Sequence, residues 1–167
     1  LRTQHPETVL VAEAYWDLEW ELQQQGFDFC YDKRLYDRIV GADAPAVRDH
    51  LRAGLSYQSR LLRFLENHDE PRIATRMPAD AGRAAAVTIA TLPGVTLWHE
   101  GQFEGRRVRP PVFLSRRPGE PPDMGLADWY RSGKQWKHAC MFNRDGGELA
   151  DTGLFVDLEP WQFHCSR

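Results

Sequence analysis

The chain has 167 residues, 42% of them hydrophobic and 27% charged, with a formal net charge of −3 at pH 7. That length supports one domain with a real core. The charge balance offers no Lys/Arg stripe for tracking phosphates, and no apolar run approaches the ~20 residues of a membrane helix, so neither nucleic acid nor membrane is expected as a partner. Three widely spaced cysteines, Cys30, Cys140 and Cys165, form an odd set without paired spacing and read as core or incidental thiols, not as a disulfide scaffold or zinc knuckle. The chain opens Leu1-Arg2-Thr3 without Met, so a missing N-terminal part is expected. No charged-then-apolar leader pattern is present, and the cytoplasm is slightly favoured as the compartment.

Thr8 to Ala12 is a β-branched-rich run of the kind that forms a strand buried on both faces, and it ends at Glu13. Asp17 is placed to cap a helix that carries Glu19 and Glu21 near its positive end and stops at Gly26. Phe27 to Tyr31 reads as a second strand, and Leu35, Tyr36, Ile39 and Val40 have helical spacing up to Gly41. Asp43 as cap, Pro45 in the first turn and then Val47, Leu51 and Leu55 predict a further helix. Leu61 to Leu65 is the third strand, followed by Glu66-Asn67-His68-Asp69. Asp80 is expected to cap a small-residue helix that ends at Pro93-Gly94, and Val95 to Trp98 is the fourth strand, followed by His99-Glu100-Gly101.

Four βα-type units in a row predict a parallel sheet. Polar residues gather just after the strand ends, at Glu13, Asp32, Asp69 and Glu100, where barrel-type α/β folds build their sites. A complete (β/α)8 barrel takes ~250 residues, so this chain supplies about half of one. Beyond Gly101 the composition changes. Residues 106–133 read as an irregular Pro/Arg/Gly-rich connection with a short helical turn near Leu126 to Tyr130, and Arg106, Arg107 and Arg109 as a solvated or barrel-rim surface. Residues 134–167 read as a small antiparallel β appendage with a turn at Arg144-Asp145-Gly146-Gly147.

The chemistry-bearing signals sit at two strand ends. His68 and Asp69 follow an apolar strand, where burial without partners is costly. They fit either a structural role, with Asp69 capping the next helix, or a site. Glu13 precedes Ala14-Tyr15-Trp16, and a carboxylic acid desolvated by aromatic rings has the raised pKa that suits a general acid. Two carboxylates at one end of nonadjacent parallel strands can flank one scissile bond, as glycoside hydrolysis requires. His99-Glu100-Gly101-Gln102-Phe103 begins like a zinc-protease motif but lacks the second His, so no metal is expected. No nucleophile elbow, P-loop or dinucleotide fingerprint occurs, and no cofactor is expected.

These residues resemble the α-amylase family, glycoside hydrolase family 13. Val9 to Trp16 is similar to its fifth-strand motif, in which the Glu is the general acid/base. Phe64-Leu65-Glu66-Asn67-His68-Asp69 is similar to its seventh-strand motif, in which the Asp stabilises the transition state and the His holds sugar hydroxyls. Gly94 to Gln102 resembles its eighth-strand segment, and Gly153 to Phe163 resembles the end of its C-terminal β-domain. The resemblance implies a partial TIM barrel, about strands 5–8, over residues 1–105. It implies catalytic roles for Glu13 and Asp69, and contacts from His68, Asn67, Tyr15 and Trp16 to an α-linked oligosaccharide or polysaccharide. Arg72 is expected to pair with a neighbouring carboxylate. The family's nucleophile, an Asp in a Gly-x-Arg-x-Asp setting on the fourth strand, has no counterpart here, so the partner expected is the missing N-terminal half of the barrel and the isolated chain is expected to be inactive. A transglycosylase of the same family and a non-catalytic carbohydrate-binding remnant are the alternatives.

Overall fold

The computed structural model describes residues 3–111, 113, 116 and 119–132, together with the backbone of 141–142 and 165–166. The chain divides into two compact units, one made of residues 1–67 and 92–99, the other of 68–91 and 100–167.

The first unit is built on a four-stranded parallel sheet in the order β1 (Val11–Ala12), β2 (Phe29–Tyr31), β3 (Leu61–Arg63), β4 (Val95–Thr96). The register pairs Ala12 with Cys30, Cys30 with Leu61 and Leu62 with Val95. The parallel sheet and the four strands are those expected from the apolar runs, but each ladder is shorter than its run. At β1 the reason is local: the Leu10 amide donates to the Asp28 carboxylate at 2.7 Å, so a side chain takes the place of a ladder partner. Val9 and Val11 are exposed on this outer strand, a correction to the expectation of a strand covered on both faces.

Helices α1 (Glu19–Gln24), α2 (Lys33–Val40), α3 (Ala44–Leu51) and α4 (Leu55–Gln58) complete the unit. Asp43 caps α3 as expected, its carboxylate accepting from the Ala46 amide, and Asp32 caps α2 by accepting from Leu35. Asp17 does not cap α1. The N-cap is Leu18, with no side-chain hydrogen bond, because Asp17 sits in the left-handed region at φ 67° and pairs instead with Arg34. The helix expected to run on to Leu55 breaks at Arg52, and α4 restarts after Gly54.

Side chains from these elements bury Leu35, Tyr36, Leu61, Phe64 and Leu65, with the Tyr36 ring stacked on Phe64 at 5.3 Å. Each such burial stabilises by about 1.5–3 kcal/mol. Cys30 is fully buried, and burial followed by the nearby Glu19 charge pushes its thiol up, as for an inert core cysteine. Cys140 lies outside the described residues.

The second unit holds α5 (Ile73–Arg76), α6 (Ala79–Thr91) and α7 (Met124–Ser132). The alanines of α6 favour a helix, and Ala81, Ala85, Ala86 and Ile89 are buried. Asp80 lies inside the first turn instead of capping it. The expected turn at 126–130 is a full helix, α7, with Asp123 accepting from the Leu126 amide. Tyr130 stacks on Phe103 at 4.4 Å and receives a hydrogen bond from Gln102. Most of the expected antiparallel appendage lies outside the described residues. The one pair described there, β5 (Met141–Phe142) with β6 (Cys165–Ser166), is parallel.

Candidate active site

Strand β1 delivers Glu13 one residue beyond its last paired position. Ala14 is buried and anchors the turn, so Glu13 and Tyr15 face away from the core, and the Tyr15 hydroxyl donates to Glu13 Oε1 at 2.8 Å. Glu13 is exposed in this chain, at the end of the outermost of the four described strands. Trp16 and Asp17 are consecutive non-glycine residues at φ 61° and 67°. A left-handed residue of this kind costs roughly 1–2 kcal/mol. The Asp17–Arg34 ion pair helps to hold the turn, which leaves the Trp16 indole 85% exposed and edge-on to Tyr15 at 5.7 Å.

Strand β3 runs into four buried residues, Phe64, Leu65, Glu66 and Asn67. His68 and Asp69 follow directly and are exposed, with 3.5 Å between His68 Nε2 and Asp69 Oδ2. Burial therefore runs two residues past the apolar run, to Asn67, and stops before His68 and Asp69. Arg109 donates to the Asp69 backbone carbonyl. Of the six residues singled out, the structure joins Glu13 with Tyr15, Tyr15 with Trp16, and His68 with Asp69. Glu13, Tyr15, Trp16 and Asn67 belong to the first unit, and His68 and Asp69 to the second.

Several functional-looking residues carried no local signal. Glu66, with no exposed surface, lies 3.5 Å from His99 Nδ1, which follows β4. Arg63, also buried, donates to the carbonyls of Pro93 and Gln58 and has Asp32 3.5 Å from its Nε. Asp32 in turn meets His50 Nε2 at 3.1 Å. Burial lowers the Arg63 pKa, and the Asp32 charge is the main effect opposing it. Asp32, expected as a strand-end site residue, is thus committed to the core. In the second unit Arg72 donates to the Glu100 carbonyl at 2.6 Å and lies 3.9 Å from the Glu100 carboxylate, the neighbouring acid expected for it. Arg106 is buried, a correction to the solvated surface expected there, and Arg107 donates to the Ala74 carbonyl at 2.7 Å.

Parallel strands alternating with helices make this an α/β fold, with an acid directly after β1 and an Asn-His-Asp run after β3. No protein-family model matches the chain. Alpha-amylase MalA of Haloarcula japonica is 32% identical over 91 residues, a stretch that is 50% of this chain and 14% of MalA. Among solved structures, the noncanonic maltogenic alpha-amylase AmyB from Thermotoga neapolitana matches at a TM-score of 0.61 and 22% identity, covering 81% of this chain and 34% of AmyB. A Nostoc punctiforme debranching enzyme matches at a TM-score of 0.63 and 16% identity, covering 78% of this chain and 33% of that enzyme. At these identities the two structures show a shared fold. The chain is thus similar to an α-amylase over half of its length and shares its fold with these two enzymes. It spans a small part of MalA and about a third of each of these structures.

Proposed function

We propose that this chain is the second half of a (β/α)8 barrel that processes α-linked glucans or glucosides with retention. In this reading residues 1–105 are barrel strands 5–8, 106–133 a connection, and 134–167 the end of a C-terminal β-domain. Glu13 protonates the leaving oxygen and then activates water or an acceptor sugar, and Asp69 stabilises the oxocarbenium-like transition state. His68, Asn67, Tyr15 and Trp16 contact the sugar. The nucleophilic Asp comes from the barrel half that precedes Leu1.

The observation that carries this reading is the position of Glu13, one residue past β1 in a parallel sheet, with its carboxylate held by the Tyr15 hydroxyl. A proton donor at a strand end with a fixed orientation is what leaving-group protonation needs. The MalA relationship supports the substrate class.

The test is turnover of maltoheptaose by the 167-residue chain, alone and mixed with a separately expressed first barrel half. The reading expects none from the chain alone, since losing a covalent nucleophile removes most of the rate. It expects turnover from the mixture. Turnover by the isolated chain that is abolished in Glu13→Gln would refute the division of the site. The 85% exposure of Trp16 favours one second reading, a non-catalytic sugar-binding surface. Calorimetry with maltoheptaose would then give binding while the reconstituted mixture stayed inactive.

A further inference from the structure

A second feature of the first unit is a cleft of about 330 Å³ among the helices, walled by Glu19, Trp20, Arg34, Arg38, Asp49 and Tyr57. Its size is at the lower end of the ~300–1,000 Å³ range of small-molecule sites. Glu13, Tyr15 and Trp16 are not among its walls, so it is separate from the strand-end residues discussed above.

The charges in this cleft do not cancel pair by pair. Asp17, also on the wall, is paired with Arg34, and Asp49 with Arg52 at 3.0 Å. Glu19 and Arg38 remain. Glu19 is only 4% exposed, and its carboxylate oxygens, which have no hydrogen bond or ion pair among the described residues, are not sealed from the cleft's solvent. A carboxylate on the cleft wall with its lone pairs unused by the protein is an acceptor open to a ligand. Arg38 is half-buried, and its guanidinium likewise has no ion pair or hydrogen bond among the described residues. Beside them Trp20 is 54% exposed, tilted against the Tyr57 ring at 6.2 Å, and so keeps part of its indole open.

This combination selects a ligand class. A simple cation would meet Arg34 and Arg38, and a simple anion would meet Glu19 and Asp49. A neutral pyranose has a C–H face that stacks on an indole, and adjacent hydroxyls that both donate and accept. Glu19 can accept from such hydroxyls, and Arg38 can donate to them. Tyr57 is held protonated by burial and by the Glu19 charge, with its pKa pushed up to about 12, and so remains a hydroxyl donor at neutral pH. We propose that the cleft between α1, α2, α3 and α4 is a sugar-binding site in its own right, with Trp20 as the stacking platform, Glu19 as the acceptor and Arg38 as the donor to one pyranose unit.

The experiment is ¹⁹F NMR of the full chain carrying 5-fluorotryptophan, with the Trp20 resonance assigned from Trp20→Phe. Maltotriose should shift that resonance saturably, with a dissociation constant on the order of millimolar. Glu19→Gln, nearly isosteric, should weaken the response about tenfold, the size expected when an acceptor loses its charge. Glu13→Gln should leave it unchanged, which keeps this result separate from the fate of the catalytic reading. Far-UV circular dichroism of both variants checks that the fold persists. A Trp20 resonance unmoved by maltotriose up to roughly 50 mM, a millimolar-scale limit, would overturn the proposal. So would a shift that survives Glu19→Gln intact, one lost in Glu13→Gln, or one produced by lysine and not by maltotriose.

Discussion

Replacing Asp32 by Ala removes one side chain and three interactions. Its carboxylate caps α2 through the Leu35 amide at 3.1 Å, meets His50 Nε2 at 3.1 Å, and lies 3.5 Å from Arg63 Nε. The cap contributes about 1 kcal/mol. The larger cost comes from Arg63, which is 1% exposed and would keep its charge in the core with no carboxylate beside it. Breaking a buried pair from one side costs about 3–5 kcal/mol. Together the loss is about 4–6 kcal/mol, or on the order of 10–20 °C in Tm for a chain of this size. Asp43→Ala is the matched control: it removes an equivalent cap on α3, with the Ala46 amide at 3.0 Å, from an exposed position with no arginine dependent on it. It should cost about 1 kcal/mol. Urea unfolding followed by circular dichroism gives both values. If the two variants lose stability to within about 1 kcal/mol of each other, the buried charge pair does not contribute as argued.

Two further perturbations test the turns and the cleft. Gly94 and Gly26 both lie at positive φ, 103° and 104°, but a Cβ at Gly94 would overlap the Leu61 carbonyl oxygen and sit 3.0 Å from the Gln58 oxygen, whereas nothing lies near one at Gly26. Gly26→Ala should cost roughly 1–2 kcal/mol of conformational strain, and Gly94→Ala clearly more, by the same urea assay. In an alkaline spectrophotometric titration one tyrosine should ionise late, near the value of about 12 given to Tyr57 by burial and by Glu19. Because its folded pKa lies above its unfolded value, the stability this group contributes is complete below about pH 10 and declines as pH rises towards 12. Glu19→Gln should bring that late ionisation earlier without restoring the ordinary value, since burial remains the larger cause.

The parts of the fold that were legible in the sequence are those fixed by near neighbours. The β-branched run ending at Ala12 and the apolar run at Leu61 both became strands of one parallel sheet, with β2 between them, and at Leu61 pattern and burial coincide. Asp43 capped its helix because an N-cap needs only a local turn and an amide three residues on. Asp17 had the same composition signal and failed, because the left-handed turn at Trp16 and Asp17 and the distant Arg34 decide its conformation. The buried set of Asp32, His50 and Arg63 and the Glu66–His99 pair rest on contacts between residues 18 to 33 positions apart, and no periodicity announces such contacts. For the candidate site, residue identities were legible and solvation was not. Glu13 was expected beside shielding rings, yet the exposure of its strand end depends on what flanks β1.

The central claim is that Glu13 and Asp69 carry α-glucosidic chemistry. The most direct measurement is maltoheptaose turnover by the whole open reading frame that contains this chain, compared with its Glu13→Gln and Asp69→Asn variants. The account predicts that each variant loses at least about 10³-fold in kcat while still binding the substrate, as expected when a proton donor or a transition-state stabiliser is removed. Variants that turn over within about tenfold of the unaltered protein would contradict it.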